Sequence, residues 1–440
     1  MYIQREIEKE LIKLIENYQK PICILGARQV GKSTVVKHAV QNYDSVYINM
    51  FDTQGINEIF NEDNDISVDR IVSSLELVAM KAITTDTILI FDEIQSNPSA
   101  LASLKSFKED GRYKVIGLGS NLGSFLLTKS KYSFPVGQYT RLNMYPINFA
   151  EYLEATNNSF LKERLISQLR VGKIDELLHT KLLVLFDEYM AIGGMPEAVK
   201  SYLMNSSIEE VDQVKADLVD GYLADFGKYE YAIDNTKALN VIYRSIPLFL
   251  NKDNQKFIFS EVNYEYKQLT KSFKWLNDNN YAVLTPQINS LSKPLIANVK
   301  ESSFKLFANE TSLLIKQANY NPFTVIKEQD KIYYGFVMEN YIATVLNKYN
   351  EVYTYRKAKT EVDFICEKDN RIYAYEVKSG TNTKSKSLNA LMAKNEDLIS
   401  IKLTRDNLRI DNVSIIPLYA IDIILNQKIL DQLIEKKVSQ

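Results

Sequence analysis

Residues 26–34, GARQVGKST, constrain the fold more than any other stretch of the chain. They contain the pattern G-x-x-x-x-G-K-S, between the short apolar run PICILG and the helical pattern VVKHAV. A glycine-rich turn between a buried strand and a helix N-terminus presents backbone N–H groups and a partial positive charge to phosphates. The sequence therefore predicts a phosphate-binding loop at the edge of a parallel sheet.

The residues of this loop are predicted to bind ATP and Mg²⁺. We expect Lys32 to reach the β- and γ-phosphates and the Ser33 hydroxyl to bind the metal ion. The residues expected to surround the phosphates are Gly26, Ala27, Arg28, Gln29, Val30, Gly31, Lys32, Ser33 and Thr34. A chance glycine turn is the alternative, and the matching flanks argue against it.

A second buried strand is predicted at residues 87–91, and it ends in two acids, Asp92 and Glu93. Ligands of open α/β sheets bind beyond the carboxyl ends of the strands. Asp92 is therefore placed to hold Mg²⁺ through water, and Glu93 to orient or deprotonate an attacking water. Such a pair following a phosphate-binding loop predicts hydrolysis of the bound nucleotide.

Two further polar residues are candidates for the nucleotide site. A third apolar strand, YKVIGLGSN, ends at Asn121, which is a candidate sensor of the γ-phosphate; a helix cap is the alternative role. Its GLGSNL stretch has Leu122 where a dinucleotide fingerprint needs a third glycine, so that motif is rejected. Arg141 is a candidate for stabilising the transferring phosphoryl group, with an ordinary surface arginine as the alternative.

The middle of the chain is predicted to contain two smaller domains. Residues 156–235 are helical by periodicity, with a break at residues 193–196, GGMP, and we expect them to form a lid. Residues 236–310 predict a winged helix, with helices at 238–250 and YKQLTKSFKWLNDN and a strand pair around YAVLTP. The second helix carries an exposed stripe that either follows DNA phosphates or is simply solvated: Lys267, Lys271 and Lys274.

Charged residues in the last third follow the order of a metal-dependent nuclease. A helix predicted at residues 333–348 carries Glu339 at the margin of its apolar stripe, and three short strands follow it. The second strand carries Asp363, and the third places Glu376 and Lys378 on one face. Asp363 and Glu376, helped by Glu339, are predicted to ligate Mg²⁺, with Lys378 steering a water. The alternative is a buried, mutually satisfied polar cluster on the same fold.

Composition excludes several other chemistries. The 440 residues are 45% hydrophobic and 25% charged, with a net charge of −2, which argues against a uniformly basic nucleic-acid coat. Cys23 and Cys366 are the only cysteines, and His38 and His179 the only histidines. A disulfide framework, a structural zinc site and serine–histidine catalysis are therefore not expected. No apolar run approaches the length of a membrane helix, so we predict a cytoplasmic protein.

Four segments together resemble a large prokaryotic family of AAA-type P-loop ATPases, of the STAND and archaeal-ATPase kind. They are GARQVGKST, IFDEIQ, FPVGQYTRLNMYPINFAEYL and YMAIGGMPEAV. Members of that family carry a C-terminal domain of unknown function with a restriction-endonuclease-like, PD-(D/E)xK fold. The resemblance implies ATP binding, ATPase activity and STAND-like regulation. Many relatives have Gly-Arg where this chain has Gly137-Gln138, so a trans-acting arginine at that position is not implied here.

The predicted architecture is an α/β chain of four parts. They are a P-loop AAA-type domain at 1–155, a helical lid at 156–235, a winged helix at 236–310 and a restriction-endonuclease-like domain at 311–440. In one hypothesis the ATP state gates nucleic-acid cleavage by the last domain, with DNA or RNA as partner. In the alternative the chain is a non-cutting switch that controls assembly or partner binding, with a homo-oligomer as one outcome.

Overall fold

The computed structural model describes residues 1–51, 55–60, 67–120, 137–227, 236–250, 257–322, 331–378, 386–395 and 397–435. The chain divides into two compact units. Unit 1 comprises Met1–Pro146, Ala224–Thr236 and Asp278–Asn280, and unit 2 comprises Ile147–Leu223, Lys237–Asn277 and Tyr281–Gln440. The four-part division expected from the sequence stays a prediction.

Unit 1 contains a five-stranded parallel sheet in the order β2-β3-β4-β1-β5. Its strands are β1 Ile22–Leu25, β2 Ser45–Asn49, β3 Ile88–Asp92, β4 Lys114–Gly119 and β5 Thr140–Asn143. Its described helices are α1 Glu6–Glu16, α2 Lys32–Ala39, α3 Ile56–Ile59, α4 Val68–Ala79 and α5 Pro98–Asp110. Strand β1, which leads into the glycine-rich loop, thus lies between two neighbours inside the sheet.

Sequence and burial agree for the central strands of this sheet. Every residue of β1 and β3 is buried, as expected for strands covered on both faces, and both were predicted as apolar runs. Strand β2 alternates between half-buried and buried residues, and only Leu142 is buried in β5. These two outer strands lack a continuous apolar run, and the sequence analysis did not predict them.

Unit 2 contains a seven-stranded mixed sheet in the order β12-β11-β10-β9-β8-β6-β7. Its strands are β6 Ala282–Ile288, β7 Val299–Ala308, β8 Val352–Lys357, β9 Thr360–Lys368, β10 Arg371–Val377, β11 Leu398–Thr404 and β12 Val413–Pro417. The pairs β6–β7, β8–β9 and β9–β10 are antiparallel, whereas β6–β8, β10–β11 and β11–β12 are parallel. Strands on both sides of the predicted boundary at residue 310 therefore belong to one sheet.

Helices α6 to α17 are largely confined to unit 2. They are α6 Phe149–Ala155, α7 Ser159–Val171, α8 Glu176–Ile192, α9 Pro196–Asn205, α10 Ile208–Phe226, α11 Thr236–Leu250, α12 Tyr266–Asp278, α13 Thr311–Gln317, α14 Lys331–Tyr349, α15 Lys386–Met392, α16 Ile421–Asn426 and α17 Leu430–Glu435. The last three residues of α10 belong to unit 1, as do the first of α11 and the last of α12. The predicted winged helix shares its strands with the larger sheet, and neither it nor a restriction-endonuclease-like domain is confirmed.

The GGMP segment forms a tight corner between α8 and α9, where the sequence predicted a break. Gly193 has φ of +92°, and a Cβ at this position would lie 2.0 Å from Ser312 Oγ. The backbone N–H of Gly194 donates to Glu310 Oε1 at 3.1 Å, and Pro196 occupies the first turn of α9. Close approach to α13 and a left-handed φ together require glycine at position 193.

Among the helices of the described residues, none combines the length and apolar character needed to cross a bilayer.

Candidate functional site

The glycine-rich loop joins the end of β1 to the start of α2, as the sequence predicted. A Cβ added to Gly26 would lie 2.2 Å from the carbonyl oxygen of Met144, so the backbone approaches too closely for any side chain. Arg5, directly before α1, is hydrogen-bonded to the loop and to the segment after β5. Its guanidinium donates to Val30 O at 3.0 Å and to Tyr145 O at 2.7 Å. Arg5 is almost fully buried, and the sequence analysis did not identify it.

The Lys32 side chain lies inside the loop. It is 6% exposed, and its Nζ donates to the carbonyl oxygens of Gly26 and Ala27, each at 3.0 Å. Burial lowers the pKa of Lys32 to about 8, although the nearby carboxylates of Glu93 and Asp92 favour the charged form. The ammonium is therefore held at the loop by weak acceptors that an anionic phosphate would replace.

Asp92, at the end of β3, accepts hydrogen bonds from three groups. Ser33 Oγ donates to its Oδ2 at 2.6 Å, and the hydroxyl of Tyr47 donates to the same oxygen. The backbone N–H of Glu93 donates to Oδ1 at 2.9 Å. Tyr47 comes from β2, a strand that the sequence analysis missed. A hydroxyl and a carboxylate oxygen in direct contact are hard oxygen ligands, so Ser33 and Asp92 fit Mg²⁺.

Glu93 has a constrained backbone and side chain. Its φ of +54° is left-handed, which is uncommon outside glycine and recurs at functional sites. Gln95 Nε2 donates to Glu93 Oε2 and lies 3.4 Å from Ser120 Oγ. Glu93 thus stands beside Asp92 at the carboxyl rim of the sheet, where the sequence placed it.

The remaining predicted nucleotide contacts have different outcomes. Arg28 forms an ion pair with Asp225 near the end of α10. Arg141 is exposed on β5 and donates from Nε to Asn143 Oδ1 at 2.8 Å. Asn121 lies outside the described residues. The roles of all three toward nucleotide stay predictions.

The acids and lysines of the last third meet at neighbouring elements of unit 2. Lys378 Nζ lies 2.8 Å from Glu376 Oε1, and Asp363 Oδ2 accepts from the backbone N–H of Val377 at 2.8 Å. Burial disfavours the charged form of Lys378, but the carboxylates of Glu376 and Asp363 prevail and raise its pKa. Asp363, Glu376 and Lys378 therefore form one charged cluster, as their spacing suggested.

Glu339 is paired with a lysine that the sequence analysis did not consider. Glu339 Oε1 lies 2.8 Å from Nζ of Lys305, which comes from β7. Lys305 Nζ also lies 3.5 Å from Glu361 Oε1. In the described part of the chain, no three His, Cys, Asp or Glu side chains are arranged as a metal site. The three-carboxylate set Glu339, Asp363 and Glu376 is therefore not assembled around one metal position.

The lysine stripe of α12 lies where the pattern placed it. Lys267, Lys271 and Lys274 are exposed, while the apolar residues of the opposite face are buried, namely Leu269, Phe273 and Leu276. A role in DNA binding stays a prediction.

Three protein-family models match parts of the chain. Residues 18–153 match an AAA domain, residues 334–421 match a domain of unknown function (DUF4143), and residues 183–324 match another (DUF8612). The first match confirms the predicted P-loop AAA domain and, with the loop geometry, supports nucleotide binding. The other two descriptions name no activity. No curated protein matches the chain significantly.

Three archaeal proteins are among the solved structures that the chain matches. A Walker-type ATPase of Pyrococcus abyssi is 17% identical with a TM-score of 0.44, and the match covers 72% of this chain and 96% of that one. Cdc6p of Pyrobaculum aerophilum is 11% identical with a TM-score of 0.26, covering 74% and 96%. The ORC2 protein of Aeropyrum pernix, in its ADP form, is 15% identical with a TM-score of 0.29, covering 75% and 95%. At these values, the likeness says nothing about substrates or partners.

Proposed function

We propose that the protein binds ATP with Mg²⁺ at the loop of residues 26–34 and hydrolyses it. The observation that carries this proposal is the contact of Ser33 with Asp92 beside the buried ammonium of Lys32. Lys32 and the loop amides bind the phosphates, while Ser33 and Asp92 hold the metal ion. Bound Mg²⁺ would neutralise charge on the β- and γ-phosphates.

Glu93 is the proposed base of the hydrolytic step. A carboxylate at the sheet rim, next to the metal-binding Asp92, is positioned to orient a water toward the γ-phosphate. Its hydrogen bond from Gln95 fixes the carboxylate in one orientation. Arg28, Asn121 and Arg141 are further proposed contacts to the nucleotide.

ATP binding and turnover by purified variants test this proposal. Lys32→Ala should abolish binding measured by calorimetry, because the phosphates lose their ammonium partner. Glu93→Gln should bind ATP yet release phosphate at least about 100-fold more slowly. Lys9→Ala, which removes an exposed lysine of α1, is the matched control and should behave like wild type. Unchanged turnover in Glu93→Gln would refute the assigned base, and wild-type protein that binds no ATP would refute the proposal.

We further propose that the nucleotide state gates a metal-dependent nuclease site at Asp363, Glu376 and Lys378. Glu376 supports this assignment, because its side chain is buried and its Oε2 has no hydrogen-bond partner among the described residues. Such an oxygen is costly unless a ligand satisfies it. A divalent ion bound by Asp363 and Glu376 would polarise a phosphodiester, and Lys378 would orient the attacking water.

A non-cutting switch is the second candidate, and the ion pairs of the cluster favour it. Lys378 already pairs with Glu376, and Lys305 pairs with the neighbouring Glu339. Single- and double-stranded DNA and RNA, incubated with Mg²⁺ or Mn²⁺ and with or without ATP, separate the candidates. ATP-dependent cleavage that Asp363→Ala and Lys32→Ala both remove supports the gated nuclease. Intact nucleic acid under all conditions supports the switch, whose readout is then nucleotide-dependent self-association or partner binding.

A further inference from the structure

We propose that Lys305 holds Glu339 in a buried ion pair, so that Glu339 is not a metal ligand. The metal site is then formed by two carboxylates, those of Asp363 and Glu376. This inference rests on the proposed nuclease-like site and explains why Glu339 is not part of it. It gives a function to a lysine of β7, a strand outside the β8–β10 segment that carries the predicted motif.

The position of Lys305 supports an internal cation. Its side chain is 5% exposed, and its Nζ contacts Glu339 Oε1 at 2.8 Å and Glu361 Oε1 at 3.5 Å. An ammonium buried this deeply needs carboxylate partners, because water cannot solvate it. Burial opposes its charge, but Glu339, Asp363 and Glu361 more than offset this effect and raise its pKa above the ordinary value for lysine. Lys305 therefore stays charged throughout the neutral range.

The helix α14 and the strand β7, which carry this ion pair, are also joined by hydrogen bonds from the residue that follows Glu339. Asn340, directly after Glu339 on α14, is fully buried. Its Oδ1 accepts from the backbone N–H of Ala308 at 2.8 Å, and its Nδ2 donates to Ala308 O at 3.2 Å. This two-point contact with β7 holds α14 where Glu339 meets Lys305. Turning Glu339 toward a metal ion would leave the buried ammonium without its closest partner.

Asp363 and Glu376 are differently placed. The hydrogen bond to Asp363 comes from a backbone N–H. Glu376 pairs with Lys378 through Oε1 alone, and its buried Oε2 has no partner among the described residues. A divalent ion bound there would satisfy the second oxygen of Glu376 and displace no internal cation from it. The proposed site thus has two protein carboxylates, one exchangeable metal ion and a fixed ammonium beside it.

Mn²⁺ binding by the full-length, nucleotide-free protein, followed by electron paramagnetic resonance, tests the inference without any cleavage assay. Asp92→Asn serves as the background of every sample, because it removes the carboxylate through which the loop site would bind Mn²⁺. Asp363→Asn and Glu376→Gln should each weaken Mn²⁺ binding at least about tenfold, since each removes a ligand. Glu339→Gln should change the affinity less than about threefold, because it removes no ligand and the amide oxygen can still accept the hydrogen bond from Lys305.

A double variant covers the case in which Glu339→Gln fails to fold around an unpaired Lys305. Lys305→Met with Glu339→Leu removes the buried pair as a unit, a change that folded proteins often tolerate. It should keep Mn²⁺ binding close to the wild-type affinity, because the ammonium and the carboxylate are lost together and neither is a ligand. A tenfold or greater loss in this variant or in Glu339→Gln would show that Glu339 is a ligand and would overturn the inference. Absence of Mn²⁺ from every protein, including the parent, would instead refute the metal site itself, and this inference with it.

Discussion

Arg28, in the phosphate-binding loop, forms an ion pair with Asp225, one residue before the end of α10. The Asp225 side chain is 3% exposed, whereas the Arg28 side chain is 41% exposed. The buried partner fixes the arginine at the loop and adds a negative charge close to Lys32. This pair connects the nucleotide site to the last turn of a long helix.

Asp225→Asn is expected to tighten ATP binding by about three- to tenfold, because it removes a carboxylate near the triphosphate and releases Arg28 toward it. Calorimetric titration with ATP and ADP measures the change, which should be smaller for ADP. Asp220→Asn, an exposed carboxylate on the same helix, is the control and should leave both affinities unchanged. Weaker ATP binding in Asp225→Asn would mean that the pair shapes the loop rather than competing with phosphate.

Lys32 is expected to take up a proton when ATP binds at alkaline pH. The pKa of Lys32 in the free protein is about 8, so at pH 8.5 most molecules carry a neutral amine. Bound phosphates favour the ammonium, so binding at this pH should absorb about 0.7 proton, against about 0.1 at pH 7. The affinity should accordingly fall as the pH rises above 8.

Calorimetry in two buffers with different ionisation enthalpies measures this uptake. The apparent binding enthalpies should differ between the buffers at pH 8.5 and nearly agree at pH 7. Lys215→Met is the control, because the pKa of Lys215 is also lowered to about 8 by burial, yet its Nζ donates to Ala191 O in unit 2. Uptake that disappears in Lys215→Met would contradict the assignment to Lys32.

Tyr47→Phe should weaken Mg²⁺-dependent hydrolysis through its effect on Asp92. The Tyr47 hydroxyl and Ser33 share the same carboxylate oxygen, so loss of the hydroxyl lets Asp92 reorient. Groups that orient a metal-binding side chain typically contribute about tenfold or more to metal affinity. We therefore expect an approximately tenfold higher Mg²⁺ requirement, with ATP turnover at saturating Mg²⁺ close to wild type. Tyr43→Phe, on the same connection before β2, should show no shift.

The sequence predicted those residues of the nucleotide site that belong to a short motif, and it missed those that lie far from the loop along the chain. The order of strand, glycine loop and helix is local, and it predicted the positions of Lys32 and Ser33. The acidic end of a second apolar run, which is also a local pattern, predicted Asp92 and Glu93 at the rim of the sheet. Arg5, Tyr47 and Asp225 were missed because the fold brings them in from a distance. Arg28 and Asp225, for example, are 197 residues apart in the chain. No local pattern distinguishes such residues from ordinary surface charges or core tyrosines.

The cluster in unit 2 shows the same limit. Alternation along β9 and β10 placed Asp363, Glu376 and Lys378 together correctly. Lys305 lies 34 residues from Glu339 on a strand assigned to another predicted domain, so its pairing was not foreseen. Under the inference above, that one contact keeps Glu339 out of the ligand set. Sequence spacing thus located the cluster, while tertiary structure decides which of its carboxylates are available to a ligand.

Gly193→Ala should lower the free energy of unfolding of the protein by about 3 kcal/mol, since it adds both left-handed strain and overpacking. The added methyl group would meet Ser312 Oγ at 2.0 Å, at a φ of +92°. Urea unfolding followed by circular dichroism measures the loss.

Gly221→Ala is the matched control for this substitution. Gly221 lies inside α10, and an added Cβ there meets no atom within 4 Å. Alanine in a helix interior should therefore stabilise the protein by about 0.5–1 kcal/mol. Opposite signs for the two substitutions are expected, because residue 193 has both a left-handed φ and the close contact with α13, and residue 221 has neither. If Gly193→Ala proves neutral, the GGMP segment must serve something other than this contact.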